Sequence, residues 1–188
     1  MTKLFLTDCD GAILDFHKSF EEFVHVHYPE LVLDITDYSL GLTSTQMNKI
    51  VNEFNTDFSF SKMQALGDSL EYIEKLKDEL GYKFVAITTC LGTELTRSFR
   101  ELNLHKLFGY DTFEEIICLP IGTSKLEALK RFEPTFYVDD KLKHCISAIK
   151  AGHTSFKMLH PYNIDNTRPD VIVPVHNWKT IYEYVISQ

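Results

Sequence analysis

Short apolar runs, separated by segments with helical spacing, are the feature that most restricts what this chain can fold into. Six runs stand out, at residues 4–6, 83–87, 115–119, 135–138, 154–159 and 171–173, and the last two are the weakest. Apolar runs of this length between helices are typical of parallel strands buried on both faces. The sequence therefore predicts an α/β fold with a Rossmann-like parallel sheet of about five strands, with 171–173 as a candidate edge strand.

The segments between the runs carry apolar residues at the spacing of amphipathic helices. The clearest stripe consists of Leu70, Ile73, Leu76 and Leu80. A capping box at 68–71 and a glycine at position 81 predict where this helix begins and ends. Further helices are predicted at about 93–103, 123–132, 141–151 and 178–186.

One connection is too long for a simple crossover. More than seventy residues separate the first two apolar runs, whereas a strand–helix–strand unit needs only about thirty. The excess has its own apolar stripes, including Phe16, Phe20, Phe23 and Phe54. We therefore predict a catalytic core of residues 1–14 and 66–188, with a small helical cap of residues 15–65 inserted after the first strand.

Composition narrows the class of partner. The 188 residues carry a formal net charge of −8, which argues against a surface built for the nucleic-acid backbone. A small phosphorylated substrate is compatible with this charge, because a bound cation can reverse the local field. We expect such a substrate, with no nucleic-acid polymer and no membrane as partner, and a monomer or small homo-oligomer.

The cysteines and the apolar runs indicate the compartment. The four cysteines form no C-x-x-C pair and lie in or near apolar segments, which is typical of reduced thiols in the cytoplasm. No apolar run approaches the roughly 20 residues that span a bilayer, and the first residues do not resemble a signal peptide. The sequence predicts a cytoplasmic protein.

Polar side chains follow three of the predicted strands at the point where each strand ends. They are Asp8, Asp10, Thr88, Thr89, Asp139 and Asp140. Because the carboxyl ends of parallel strands meet at one edge of a sheet, these side chains should lie close together. Carboxylates packed so closely repel one another. A hard divalent cation, Mg²⁺ above all, offsets that repulsion, with Asp8, Asp139 and Asp140 as candidate ligands.

The same edge has the parts for phosphoryl transfer. Asp8 can attack phosphorus and form an aspartyl-phosphate, and Asp10 can serve as general acid and then as general base. Gly11 permits a tight turn and a close approach of backbone to phosphate. Thr88 can donate a hydrogen bond to a phosphoryl oxygen, and Lys125 can neutralise charge on the transferred group.

Four segments, in order, resemble the motifs of the haloacid dehalogenase superfamily. Residues 8–15, Asp-Cys-Asp-Gly-Ala-Ile-Leu-Asp, resemble its first motif, residues 85–88 its second, Lys125 its third and residues 137–140 its fourth. The resemblance implies an Mg²⁺-dependent phosphoaspartyl enzyme with Asp8, Asp139 and the backbone carbonyl of Asp10 as ligands. Phosphatases and phosphomutases of the superfamily keep the acid that is Asp10 here. The cap length is similar to that of the deoxyribonucleotidase-like branch, which includes phage-borne members.

Several assignments stay open. Ala12 and Ile13 stand where the family commonly has Thr-Leu, Thr89 competes with Thr88 for the phosphate, and Lys130 competes with Lys125.

Other residues have a structural interpretation beside a functional one. Phe58, Phe60 and Lys62, where the cap returns to the core, are candidate substrate contacts alongside Gly11 and Thr89, with ordinary cap packing as the alternative for the aromatic rings. We interpret Arg97 and Arg100 as a solvated helix face.

The sequence thus predicts a Mg²⁺-dependent hydrolase of a small phosphomonoester, with a nucleoside monophosphate first and a sugar phosphate second. The alternatives are a phosphotransferase or phosphomutase that uses the same residues, or a nucleic-acid-end-processing protein with the same core.

Overall fold

A computed structural model describes residues 2–34, 36–37, 39–164 and 169–188. In these residues six strands form one parallel sheet in the order β3-β2-β1-β4-β5-β6. The strands are β1 (Lys3–Thr7), β2 (Tyr82–Cys90), β3 (Phe113–Pro120), β4 (Phe136–Asp139), β5 (Thr154–Met158) and β6 (Ile172–Val175). The predicted α/β fold is confirmed, and the candidate edge strand makes a sixth member of the sheet.

Helices cover both faces of the sheet. They are α1 (Phe16–His27), α2 (Ser44–Thr56), α3 (Ser69–Leu80), α4 (Glu94–Phe108), α5 (Leu126–Leu129), α6 (Leu142–Lys150) and α7 (Trp178–Ile186). A short 3-10 helix, Phe58–Lys62, follows α2. Helix α5 is much shorter than the predicted 123–132, because residues 121–125 form the turn out of β3 and carry Lys125 to the helix start.

Alternation along the strands builds two apolar clusters, one on each face. On β1, Phe5 belongs to the larger cluster, with α3, α4 and α7, while Leu6 belongs to the smaller one, with α5 and α6. Phe5 stacks on Phe84 at 5.3 Å and on Phe136 at 5.7 Å between ring centroids. Burying a side chain of this size contributes about 1.5–3 kcal/mol. These ring contacts therefore stabilise the centre of the sheet, where β1 lies between β2 and β4.

Helices α1 and α2 and the 3-10 helix occupy the predicted insertion. Phe54 lies at their centre and contacts the rings of Phe16, Phe20, Phe23 and Phe60 at centroid distances of 5.2–5.7 Å. These rings belong to the same apolar cluster as the larger face of the sheet. The cap thus packs continuously onto the core, and its treatment as a separate domain stays a prediction.

The capping box predicted at the start of α3 is wrong, because the side-chain hydrogen bond that would form it is not made. Asp68 is the N-cap residue of α3 but makes no side-chain bond to that helix. Its two carboxylate oxygens instead accept the backbone N–H groups of Trp178 (2.9 Å) and Lys179 (3.1 Å), in the first turn of α7. Local sequence cannot reveal a cap for a helix that begins 110 residues later. Gly81 ends α3 in the left-handed region, as predicted.

Within the described ranges, no helix combines the length and the apolar character needed to cross a membrane.

Candidate active site

Four charged side chains from three parts of the chain meet where β1 and β4 end side by side. Asp8 follows β1, Asp139 ends β4, Asp140 comes next, and Lys125 lies just before α5. The Lys125 Nζ atom is 2.8 Å from Asp8 Oδ1 and 2.8 Å from Asp139 Oδ2. All four side chains are buried. The competing Lys130 is half exposed and pairs with Glu127 on the surface at 2.9 Å.

Backbone and side-chain donors hold the two strand-end acids in place. The Asp8 N–H donates to the Val138 carbonyl at 2.8 Å, and the Cys9 N–H donates to Asp8 Oδ1 at 2.7 Å. Asp139 Oδ1 accepts the Lys141 N–H at 2.8 Å, and its Oδ2 accepts the Tyr137 hydroxyl. Cys9 is buried in the apolar cluster on the other side, as the alternation predicts. Both carboxylates are thus oriented before any ligand binds.

Burial and mutual repulsion shift the pKa values of these acids. Burial, reinforced by Asp139, raises the pKa of Asp8 to about 6 against the opposing effect of Lys125. Burial and then Asp139 also raise the pKa of Asp140 to about 8. Burial acts in the same direction on Asp139, but Lys125 and His144 outweigh it and hold the pKa of Asp139 below its ordinary value. When ionised, three carboxylates face one ammonium group, an excess of two negative charges.

These acids fit a hard divalent cation. One oxygen from each of Asp8, Asp139 and Asp140 lies within 4.8 Å of the others. Asp140 Oδ1 is buried and has no hydrogen-bond partner among the described residues. An all-oxygen donor set that carries an excess of two negative charges matches what Mg²⁺ prefers. The fit rests on donor type, spacing and charge.

Gly11 lies against Asp140 so closely that a side chain would not fit. Its φ is +72°, and a Cβ atom there would lie 3.0 Å from Asp140 Cγ and Oδ2 and 3.0 Å from the Tyr162 hydroxyl oxygen. Both the backbone conformation and the contact therefore require glycine. The His160 Nε2–H group donates to the Gly11 carbonyl at 2.7 Å and fixes the turn from the other side.

A loop after β5 supports Asp140 from behind. The Tyr162 hydroxyl donates to Asp140 Oδ2 at 3.1 Å, and Asn163 Nδ2 donates to the Asp140 carbonyl at 3.0 Å. The Tyr162 ring stacks between His160, at 4.9 Å, and His17 of α1, at 5.5 Å. This loop is not predicted from the sequence, because no motif marks it and it lies more than twenty residues from Asp140.

Asp8 opens, together with Asp10, into a cavity of about 90 Å³ between the core and the predicted cap. Its lining residues are Asp8, Asp10, Phe16, Val51, Asn55, Thr89, Ile121 and Lys141. Asn55 is fixed, since its Oδ1 accepts the Leu91 N–H at 3.0 Å and its Nδ2 donates to the Val51 carbonyl at 2.8 Å. The core side of the cavity is charged, whereas the cap side is mainly apolar.

Of the candidate substrate contacts, Thr89 lines this cavity, and the other four do not: Gly11, Phe58, Phe60 and Lys62. Phe60 is fully buried under the cap, as the packing interpretation predicts. Phe58 is half exposed, and its ring packs edge-on against Phe99 with Lys62 above it. The side chains of the predicted cap that face the cavity come from α1 and α2 instead.

The two threonines of β2 face opposite sides. Thr89 lines the cavity beside Asp8, whereas Thr88 is fully buried and its hydroxyl has no hydrogen-bond partner among the described residues. Strand β2 continues to Cys90, so both threonines lie inside the strand. Alternation places Thr89 on the same face as Ile87 and Thr88 on the face of Ala86. The placement favours Thr89 over Thr88 as a cavity hydroxyl.

The interpretation of Arg100 as a solvated residue is wrong. Its side chain is fully buried, and its Nη2 atom lies 2.7 Å from Asp10 Oδ1 and 2.8 Å from Asp10 Oδ2. Arg97, one turn earlier, is exposed as expected. The signal that could have revealed Arg100 is a polar stripe of Thr96, Arg100 and Asn103 on one face of α4.

Comparisons with known proteins support the fold. No protein-family model matches the chain. An uncharacterized 32.4 kDa protein in the Gp30-rIII intergenic region of Enterobacteria phage T4 is 25% identical over 202 residues, covering 100% of this chain and 71% of that protein. The haloacid dehalogenase-like hydrolase SP0104 from Streptococcus pneumoniae has a TM-score of 0.67 at 16% identity, covering 97% of this chain and 98% of that one.

A second solved structure carries ligands of the predicted kind. The D,D-heptose 1,7-bisphosphate phosphatase from B. bronchiseptica, complexed with magnesium and phosphate, has a TM-score of 0.58 at 14% identity and covers 98% of each chain. Identities this low establish a shared fold and leave the reaction to be argued from the site. The resemblance predicted from four separate motifs is thereby confirmed for the architecture: the chain has the fold of the haloacid dehalogenase-like hydrolases.

Proposed function

We propose that this protein is a Mg²⁺-dependent phosphatase that hydrolyses a small phosphomonoester through an aspartyl-phosphate at Asp8. The observation that carries the proposal is the contact of Lys125 with both Asp8 and Asp139, in a buried acidic cluster that opens into a cavity. A carboxylate that is oriented, cation-paired and open to a pocket is suited to attack phosphorus.

Each side chain has a distinct part in this reaction. Asp8 attacks the phosphorus and displaces the alcohol, while Asp10 protonates the departing oxygen and later takes a proton from the water that hydrolyses the intermediate. Lys125 neutralises negative charge that develops on the phosphoryl oxygens. A Mg²⁺ ion held by Asp8, Asp139, Asp140 and the Asp10 carbonyl supplies further charge neutralisation when bound.

We assign the phosphate-facing hydroxyl to Thr89 in place of Thr88. Thr89 lies on the cavity wall on the same side of β2 as the acids, and Thr88 points to the opposite face. A Thr89→Val variant should therefore lose more phosphatase activity than Thr88→Val when both remain folded. The reverse order would restore the assignment to Thr88.

We further propose that the substrate is compact and of the sugar-phosphate class. A cavity of about 90 Å³ is far smaller than the roughly 300–1,000 Å³ of sites that enclose drug-sized ligands. Phe58 and Phe60, the aromatic residues among the candidate substrate contacts, do not line it. These observations support a sugar phosphate over a nucleoside monophosphate, the reverse of the order expected from the sequence.

A panel of phosphomonoesters assayed with Mg²⁺ tests the function. Wild type should release phosphate from at least one sugar phosphate and from an aryl phosphate, and Asp8→Asn should abolish release while it remains folded. Asp15→Asn is a matched control in the same motif, since the Asp15 side chain caps α1 by accepting the Lys18 N–H and does not line the cavity. Transfer of phosphate to an added sugar instead of water would indicate a phosphotransferase. Absence of any product would contradict the proposal.

A further inference from the structure

Helix α4 buries a polar stripe against the segment that leads from the cap back to the core. Thr96, Arg100 and Asn103 are spaced by four and three residues, so they share one face of the helix. Thr96 Oγ1 donates to the Asn55 carbonyl at 3.0 Å, and Asn103 Nδ2 donates to the Met63 carbonyl at 2.9 Å. The two bonds fix both ends of residues 55–63, which we call the cap-return segment.

Arg100 lies between these two bonds and reaches further, to the first motif. Its guanidinium carbon is 4.4 Å from the centre of the Phe60 ring, in the middle of the cap-return segment. On the other side, Nη2 is within 2.8 Å of both oxygens of Asp10. Its Nε and Nη1 atoms have no hydrogen-bond partner among the described residues. The Asp10 carboxylate is therefore the group that balances the positive charge of the Arg100 guanidinium.

This arrangement restricts the Asp10 carboxylate. A buried guanidinium separated from its anion is costly, so the pair is kept. The Phe60 ring limits where the guanidinium can lie, and the guanidinium limits how the carboxylate can rotate. The Asp10 side chain, about one-fifth exposed, is thus held at the cavity edge by a residue ninety positions away.

We propose that Arg100 is a positioning residue that holds the Asp10 carboxyl group at the leaving-group oxygen of the substrate. The proposal rests on the proposed phosphatase function and adds a residue that acts through Asp10. Proton donation to the leaving group matters most when that group is basic and least when it departs easily as a stabilised anion. The effect of Arg100 therefore depends on the leaving group.

A leaving-group series tests this role. The probes are p-nitrophenyl phosphate, phenyl phosphate and an alkyl phosphate, and kcat/KM is measured with Mg²⁺ for wild type, Arg100→Met and Arg100→Lys. For Arg100→Met we expect a loss of about 100-fold or more on the alkyl phosphate, in the range of general-acid contributions, and a loss of less than about 10-fold on p-nitrophenyl phosphate. Arg100→Lys keeps the charge and should fall between wild type and Arg100→Met on the alkyl phosphate.

Asn103→Leu is the matched control. It removes a buried bond from the same face of α4 to the same cap-return segment and does not touch Asp10. A change that only loosens the cap should lower kcat/KM by one factor across the series. If the Arg100 variants also lose activity by one factor on all three probes, the positioning role is wrong.

Folding and function are separated in the same experiment. Circular dichroism and thermal melting identify any variant that fails to fold, and if Arg100→Met does so, Arg100→Lys carries the test alone. A Lys variant with the leaving-group dependence of wild type would then overturn the proposal. If wild type itself hydrolyses none of the probes, the phosphatase function fails. If wild type is active and the dependence is unchanged, only the role of Arg100 fails.

Discussion

The two sides of the cavity differ in what they are made of and in how firmly they are held. On the core side, Asp8 lines the cavity, pairs with Lys125, which also pairs with Asp139, and donates its N–H to the Val138 carbonyl of β4; all three charged side chains are buried. On the cap side, Phe16 and Val51 offer apolar surface from two helices, with one fixed amide from Asn55. In the proposed reaction, the core side supplies the chemistry and the cap side selects the size and polarity of the leaving group.

The largest effect should come from removing the ammonium group of Lys125. Lys125→Met leaves Asp8 and Asp139 buried without their shared partner, so we expect a loss of stability of about 3–5 kcal/mol and a drop in kcat of about 10²–10³-fold. Denaturant unfolding and phosphate release measure the two effects. Lys130→Met, at the exposed C-terminal end of α5, should change stability by less than about 0.5 kcal/mol. Equal losses of stability and of kcat in Lys125→Met and Lys130→Met would contradict the special role of the buried lysine.

The raised pKa of Asp140 predicts a dependence of stability on pH in the metal-free protein. The pKa of this carboxyl group lies at about 8, against an ordinary value of 3.8. The folded protein therefore holds this proton more tightly than the unfolded chain, so the contribution of Asp140 to stability falls as pH rises from about 4 to about 8. Asp140→Asn lacks this titration and should gain stability relative to wild type across the same window.

Melting curves of both proteins in a chelator check this difference. A constant difference between them over the window would show that Asp140 titrates normally. Addition of Mg²⁺ should stabilise wild type increasingly as pH rises, since a metal ligand must be ionised.

A smaller effect tests the support behind Asp140, a proposed metal ligand. Tyr162→Phe removes the hydroxyl that donates to Asp140 Oδ2 while it keeps the ring that stacks on His160. We expect Mg²⁺ affinity to fall by about 10-fold, since partners of ligand residues typically contribute 10–100-fold, with little change in melting temperature. Titration calorimetry with Mg²⁺ alone measures it. Tyr110→Phe, at an exposed ring, should leave the affinity unchanged, and unchanged affinity in Tyr162→Phe would contradict the support role.

The smallest effect should appear on the cap side. Val51→Ala enlarges the cavity on the cap side without changing an acid. We expect kcat with an aryl phosphate to stay within about 2-fold of wild type, while the preference among sugar phosphates moves toward larger ones by roughly 10-fold or less, the scale of one or two methyl groups in a pocket. A large drop in kcat with unchanged preference would mean that the cap side also shapes the chemistry.

The core side of the site could be predicted from the sequence, because one topological rule places it. Parallel strands end at one edge, so Asp8 and Asp139 must come close once β1 and β4 are neighbours. The choice between Thr88 and Thr89 could not be made in the same way. Alternation decides it only when the pairing of β2 with β1 is known, and that register, Thr7 beside Ala86, is a property of the folded sheet.

The contacts of Arg100 and Tyr162 could not be predicted, for a different reason. Each residue bonds to a partner far away in the sequence: Arg100 to Asp10, 90 residues away, and Tyr162 to Asp140, 22 residues away. A helix period alone cannot tell a buried arginine from a solvated one, because its partner is set by tertiary packing. The shape of the cap side of the cavity also depends on tertiary packing, so it could not be predicted either.

A hydrogen bond made by the indole of Trp178 has a consequence for folding during synthesis. Its Nε1–H group donates to the Ala12 carbonyl at 2.8 Å, across 166 residues, in the turn that follows Asp8. Asp8 leaves the ribosome long before the residue that anchors the turn after it. During translation this turn is therefore completed only when α7 has been made, and a nascent chain that has not yet reached Trp178 carries every acid of the site without the indole bond to the Ala12 carbonyl.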